Sequence, residues 1–201
     1  MASNLFCIVE PISINFFFCK LKSSFYWGYS LGQIPAARCI QYTGAKSLFL
    51  ASVLIPSILS LLVPVACRHS VAAACIVRML IGFFESASFP AVYYFLPVWI
   101  PPQEKTLLIP FVFSGIYFGE MIGFYVSGAL VNSSMVLNGT EYGNWPCLFY
   151  IFGIVGVLWS PIWAYMAFEC PERHPYISAS EKQLILLGMY TDHKLNVFYS
   201  C

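Results

Sequence analysis

The chain has 201 residues, of which 59% are hydrophobic and only 9% are charged, and its mean hydropathy is +0.74. Soluble domains carry about 25% charged residues, so this composition excludes an ordinary soluble fold and indicates a protein surrounded by lipid. Lys and Arg total 10 and Asp and Glu total 9, so the net charge of +1 provides no electrostatic basis for nucleic-acid binding.

Five hydrophobic segments follow one another along the chain, most of them near the roughly 20 residues that a helix needs to cross the hydrocarbon core. Because backbone groups in lipid must be hydrogen-bonded within their own segment, we predict an all-α integral membrane fold. The third segment is long enough to span with a tilt or with a bend near Pro90 and Pro97. The predicted spans are residues 25–40, 47–67, 71–100, 107–131 and 147–168.

Residues 1–22 are atypical, and we place the helical bundle at residues 23–168. Residues 5–19 are hydrophobic but short for a span, and the pair Glu10-Pro11 makes a poor helix centre. A signal-anchor and the remnant of a damaged helix both fit this segment.

The polar stretch 132–146 carries two N-glycosylation sequons, at Asn132 and Asn138, and we predict that it lies on the lumenal or extracellular side. Alternation of the spans then puts Lys46 and Lys105 in the cytosol, in weak agreement with the positive-inside rule. Residues 169–201 become a cytosolic tail, in which a capping-box pattern predicts a short amphipathic helix.

Two ionisable residues lie in the third predicted span, where each costs about 2.5–3.5 kcal/mol on insertion scales. Arg78 and Glu85 are seven residues apart, which is two helical turns, so both project from one face with a rise of roughly 10 Å between them. Arg78 offers a fixed fork suited to a carboxylate or a phosphate, and a desolvated Glu85 could bind and release a proton. The alternative is that the pair only holds helices together.

The fourth predicted span contains a third ionisable residue, Glu120, among four glycines. Two interpretations of Glu120 stay open, a second proton carrier and a partner of Arg78. The four-residue spacing of the glycines predicts a small-residue seam at which another helix packs closely. The glycines are Gly115, Gly119, Gly123 and Gly128.

No other pattern indicates an enzyme, a metal site or a cofactor. The eight cysteines are scattered without a CxxC pair, and we interpret them as free thiols. The three histidines lack metal-ligand spacing, and the sequence contains no nucleotide-binding loop and no nucleophile motif.

Several stretches resemble one family of transporters in order and spacing. Arg78, Gly82, Glu85 and Pro90, followed by the polar turn 101–106, resemble the fourth helix and the next cytosolic loop of the sialin and vesicular glutamate transporter family, the anion:cation symporters of the major facilitator superfamily. The resemblance extends over roughly residues 23–187. Its other matches are residues 24–35 and 44–46 to the second helix and its loop, 114–128 to the fifth helix, and 149–156 and 171–185 to the sixth.

The resemblance implies a partial major-facilitator bundle, consisting of helices 2–6 of the N-terminal half. It further implies alternating access and secondary active transport of organic or inorganic anions such as glutamate, acidic sugars or phosphate, coupled to protons or sodium. Arg78 and Glu85 correspond to the fourth-helix arginine and glutamate implicated in anion recognition and ion coupling. Lysosomal, vesicular and plasma membranes all remain open.

The sequence also departs from the family pattern. Tyr42 stands where the family has a basic residue, Ala36-Ala37 replaces a Gly-Gly pair, and Glu120 replaces a small or hydroxyl residue. No stretch corresponds to the first helix or to helices 7–12. The partners we expect are therefore the lipid bilayer, an anion with its coupling ion, and a missing C-terminal half or a full-length relative. The alternative is a truncated, non-transporting membrane protein, or a gene-model fragment.

Overall fold

The computed structural model describes the backbone of residues 2–101, 103–132, 135–137, 140–142, 145–170, 177–178 and 183, and the side chains of these residues outside 2–18 and 131–145. Six helices and one short hairpin make up this part of the chain. In chain order they are α1 (Ala2–Thr43), α2 (Ala45–His69), α3 (Val71–Glu85), α4 (Ser88–Trp99), α5 (Lys105–Asn132), β1 (Met135–Leu137), β2 (Thr140–Tyr142) and α6 (Trp145–Met166).

Four helical stretches are long and hydrophobic enough to cross a membrane, which confirms the second to fifth predicted spans and the helical membrane fold. The first predicted span, residues 25–40, is helical as part of α1 but is not among these four. The four stretches are Ala45–His69, Val71–Trp99, Lys105–Leu130 and Pro146–Met166.

Helix α2 is the centre of the bundle, because α3, α4 and α6 all pack against it and α1 packs mainly against α3. Small residues allow the approach of α6 to α2. A Cβ built on Gly153 would meet the Leu61 side chain, and one built on Gly156 would meet the Ser57 hydroxyl. An added side chain at either glycine would therefore require the Leu61 or Ser57 side chain to shift.

The pair Glu10-Pro11 lies inside a helix, although the sequence suggested a poor helix centre there. Helix α1 runs continuously from Ala2 to Thr43, and the division at residue 22 stays a prediction. A proline removes one backbone hydrogen bond, but in hydrophobic surroundings the remaining backbone groups have no water to bond to, so the helix is the conformation that satisfies them.

The polar stretch between α5 and α6 contains an antiparallel hairpin, which the sequence interpretation did not include. Met135 pairs with Tyr142 and Leu137 with Thr140. A signal for this turn is present, since Asn138-Gly139 separates the strands and is a strong hairpin dipeptide. Asn132 is the last residue of α5 and Asn138 lies outside the described residues, so the two glycosylation sites stay predictions. Most of the predicted tail helix also lies outside the described residues.

The third predicted span is interrupted one turn before Pro90, near one of the two prolines at which the sequence suggested a bend. Because Pro90 has no N–H and its ring crowds the carbonyl four residues back, helix α3 ends at Glu85 and α4 begins at Ser88. Two serine hydroxyls donate hydrogen bonds to backbone carbonyls at the break. Ser86 Oγ donates to the Phe83 carbonyl and Ser88 Oγ donates to the Glu85 carbonyl, both at 2.7 Å.

Tryptophans join the start of α2, the end of α4 and the end of α6 at one end of the bundle. Trp99 Nε1 donates to the Phe168 carbonyl at 3.1 Å, and Trp163 Nε1 donates to the Lys46 carbonyl at 3.4 Å. The Lys46 ammonium also lies 5.3 Å from the centre of the Phe168 ring. Both indoles therefore connect separate parts of the bundle.

Gly44, between α1 and α2, has φ +79° and ψ 157°, a conformation that is essentially restricted to glycine. A Cβ built on it would also meet the Glu169 carboxylate.

We therefore expect Gly44→Ala to lower the free energy of unfolding by roughly 1–3 kcal/mol, measured by denaturant titration in micelles. The control is the same substitution in a Glu169→Ala background, which removes the contact with the carboxylate but keeps the backbone strain, so part of the loss in free energy of unfolding should remain. A Gly44→Ala protein as stable as wild type would contradict the requirement for glycine at this position.

The interpretation of the cysteines as free thiols is correct for five of them and wrong for Cys170. Cys170 is disulfide-bonded and its side chain is buried. A disulfide depends on the distance and direction of two Cβ atoms in the fold, so the lack of a CxxC pair does not exclude it. The free cysteines are Cys19, Cys39, Cys67, Cys75 and Cys147.

Candidate functional site

Helices α1 and α3 approach each other through three glycines. A Cβ built on Gly28 would meet the Met79 backbone carbonyl, one on Gly32 would meet Ser86 Oγ, and one on Gly82 would meet the Phe25 backbone carbonyl. The obstacles at Gly28 and Gly82 are backbone atoms, which side-chain rotation cannot move aside. Sequence reasoning missed this contact, although Gly28 and Gly32 form a small-xxx-small pair that could have revealed it.

The glycine seam predicted on α5 is not used in the described part of the chain. No atom lies within 4 Å of a Cβ built on Gly115, Gly119, Gly123 or Gly128. No residue in the hydrophobic window of α5 is buried. The packing role of these glycines therefore stays a prediction, because spacing shows only that a helix can be approached closely and not which helix lies beside it.

Arg78 lies in the middle of α3, one turn before Gly82, and is half-buried. Its Cζ atom is 4.8 Å from the centre of the Phe149 ring of α6. Its Nε atom is buried and has no hydrogen-bond partner among the described residues. Burying a donor of a charged group without an acceptor is costly, so Arg78 is a cation held inside the bundle with unused hydrogen-bonding capacity.

Glu85 is the last residue of α3 and the central residue of the stretch Val71–Trp99. A carboxyl at the centre of a span lies near the midplane of the membrane. Its side chain is exposed on the surface of the chain, and its charge acts on Tyr29 of α1. It also adjoins the break between α3 and α4. Interrupted helices near the midplane are where transporters commonly place substrate and ion sites.

Arg78 and Glu85 lie seven residues apart on the continuous helix α3, which is two helical turns. Three cavities bounded by described residues lie elsewhere; one of about 250 Å³ is lined by Tyr42, Tyr94 and Glu169. Arg78 can bind an anion, and Glu85 can carry a proton or attract a cation two turns away.

Glu120 is not brought to this pair. It is exposed on α5, and the groups that act on the Arg78 charge are Cys67 and Glu85. Helix α5 is the least packed of the helices, so the described structure does not support pairing of Glu120 with Arg78, and both roles suggested for Glu120 stay predictions. Among the described residues, no group of three or more His, Cys, Asp or Glu side chains could hold a metal ion.

Comparison with protein families finds one match that covers most of the chain. Residues 15–195 match the family model described as Major Facilitator Superfamily. The matched range contains the four long hydrophobic stretches, together with Arg78 and Glu85. The residues proposed for chemistry thus lie inside the part of the chain that the family describes.

Curated relatives agree with the sialin and vesicular glutamate transporter resemblance and confirm it. The chain is 38% identical over 170 residues to the uncharacterized transporter slc-17.2 of Caenorhabditis elegans, which covers 83% of this chain and 33% of that protein. It is 33% identical to vesicular glutamate transporter 3 of Danio rerio, a match that covers 82% of this chain and 26% of that protein. It is 32% identical to vesicular glutamate transporter 2 of Homo sapiens, with 82% of this chain and 27% of that protein covered. The chain spans a third or less of the length of these relatives.

Proposed function

This chain belongs to the Major Facilitator Superfamily, and on that premise we propose that it forms the anion-binding wall of a secondary active transporter. One observation carries the proposal: Arg78 is held inside the bundle with a buried, unpartnered Nε, on the same helix as a carboxyl at the centre of the span. A multi-pass membrane protein retains such costly charges where they face a solute path or each other.

Arg78 is the anion-recognition group in this proposal. A guanidinium presents five N–H donors in a fixed fork that matches the two oxygens of a carboxylate or phosphate. Inside a bundle, where water competes little, such a charge-assisted pair is stronger than it would be on a surface. The relatives named as vesicular glutamate transporters make L-glutamate the first substrate to try, with acidic sugars and phosphate next.

Glu85 is the proposed coupling group. An anion bound at Arg78 and a proton or sodium ion at Glu85 would each be favoured by the other, because together they leave the face electrically neutral. Loading both and then changing access is the alternating-access scheme that the superfamily fold permits. The break at Ser86 and Ala87 lies next to Glu85, where a small change in helix direction would alter its surroundings.

We propose the same orientation in the membrane that the sequence predicts. Lys46 and Lys105 lie at the end of the bundle where α2 and α5 begin, and we place this end in the cytosol under the positive-inside rule. The hairpin end, with the sequons at Asn132 and Asn138, is placed outside or in the lumen.

Uptake into proteoliposomes tests the function. Purified protein would be reconstituted with an imposed pH or sodium gradient, and uptake of labelled L-glutamate, sialic acid and phosphate would be compared with that of an uncharged sugar. Saturable uptake of an anion that depends on one gradient supports the proposal. Equal uptake by protein-free liposomes would contradict it.

Replacing Glu85 with glutamine tests the coupling role. We expect Glu85→Gln to lose the stimulation of uptake by whichever gradient drives the wild-type protein, while anion exchange without a gradient continues, because an amide keeps the shape but cannot take up a proton or balance a cation. The matched control is Glu120→Gln on the exposed helix α5, which should keep the stimulation. Gradient-driven uptake that persists in Glu85→Gln would remove Glu85 from coupling.

A further inference from the structure

Phe149, in the second turn of α6, contacts the guanidinium of Arg78 with a distance of 4.8 Å from Cζ to the ring centre. We infer that Phe149 is a positioning residue for anion recognition, which holds the Arg78 side chain in place without neutralising it. The inference rests on the proposed function, since it assigns Phe149 a part in the same site.

The chemistry of the contact separates Phe149 from an acidic partner. A carboxylate beside Arg78 would hold the side chain equally well, but it would occupy the N–H donors and cancel the charge that an anion needs. An aromatic ring attracts the cation through the negative potential of its face and carries no charge of its own. The Arg78 side chain can therefore be fixed while its positive charge stays available.

The burial around Arg78 is consistent with a site organised before the anion arrives. The arginine is half-buried, and Phe149 is half-buried beside it. The buried Nε donor has no acceptor among the described residues, so the chain itself leaves this hydrogen bond unmade. Binding groups whose conformation is already restricted lose less entropy when a ligand binds.

The position of Phe149 also determines which helices cooperate in recognition. Arg78 is carried by α3 and Phe149 by α6, and α2 packs against both. The glycines Gly153 and Gly156 hold α6 close to α2, which brings Phe149 within reach of Arg78. Helix α6 therefore takes part in anion recognition, although it carries no charged residue between Trp145 and Met166.

Three substitutions test this inference in reconstituted protein, with labelled L-glutamate and inorganic phosphate as probes. Phe149→Leu removes the ring and keeps a hydrophobic side chain, and we expect it to raise KM about 2- to 30-fold with little change in kcat, because the lost cation–ring attraction affects binding. Phe149→Tyr keeps the ring and should stay within about twofold of the wild-type KM. Phe152→Leu is the matched control, since Phe152 is an exposed phenylalanine on the same helix.

The outcomes separate this inference from the function on which it rests. Helical content is measured for each variant by circular dichroism. If Phe149→Leu does not fold, the KM of Phe149→Tyr compared with that of wild type decides the test. A folded Phe149→Leu with unchanged KM, or a Phe149→Tyr with KM raised tenfold, overturns the inference while wild-type uptake upholds the proposed function. If wild-type protein takes up neither probe nor sialic acid, both are overturned.

Discussion

Replacing Arg78 with alanine is expected to lower kcat/KM for anion uptake about 100-fold or more. Removing one partner of a desolvated charge pair costs roughly 2–5 kcal/mol, and each 1.4 kcal/mol is a factor of ten. Alanine removes the whole guanidinium, including the Nε donor that has no partner among the described residues. The measurement is the initial rate of labelled L-glutamate uptake over a range of concentrations.

Two further variants make the Arg78 result specific. Arg38→Ala removes an arginine that is exposed on α1 and is expected to leave kcat/KM within about twofold, since exposed charges contribute little. Arg78→Lys keeps the charge but not the fork, so it should retain part of the uptake with a raised KM. Uptake by folded Arg78→Ala at the wild-type rate would exclude Arg78 from anion recognition and leave it a role in helix packing.

Replacing Gly82 with alanine is expected to destabilise the bundle by about 1–3 kcal/mol. The added Cβ would collide with the Phe25 backbone carbonyl of α1, and because a carbonyl cannot rotate away, the two helices must separate. Gly82 also lies between Arg78 and Glu85, so separation would displace both groups. The measurement is the free energy of unfolding in mixed micelles, followed by circular dichroism during an SDS titration.

The chain supplies a matched control for Gly82 in the seam on α5. No described atom lies within 4 Å of a Cβ built on Gly119, and alanine is favoured over glycine in helices by about 0.5–1 kcal/mol. Gly119→Ala should therefore be neutral or slightly stabilising. If Gly119→Ala destabilised the protein as much as Gly82→Ala does, the α5 seam would be packed in the micelle, and a larger destabilisation could not be assigned to the α1–α3 contact.

The membrane class, the four long spans and the relation between Arg78 and Glu85 could be predicted from the sequence. Each depends on local properties: hydrophobic length sets whether a helix can span, and the helical period places residues seven apart on one face. The break before Pro90 depends on a local property as well, since a proline acts on the carbonyl four residues earlier. The resemblance of the Arg78–Pro90 region to a transporter family required no structure either.

Contacts between distant residues were decided by the tertiary structure. Spacing alone favoured the Gly115–Gly123 seam, yet the close approach occurs at Gly28 and Gly82, because a glycine matters only where another helix arrives. Phe149 beside Arg78 and Glu169 beside Gly44 join separate helices, and Cys170 is bonded without any sequence signal. Local sequence sets what each helix is, whereas the packing of one helix on another sets which side chains meet.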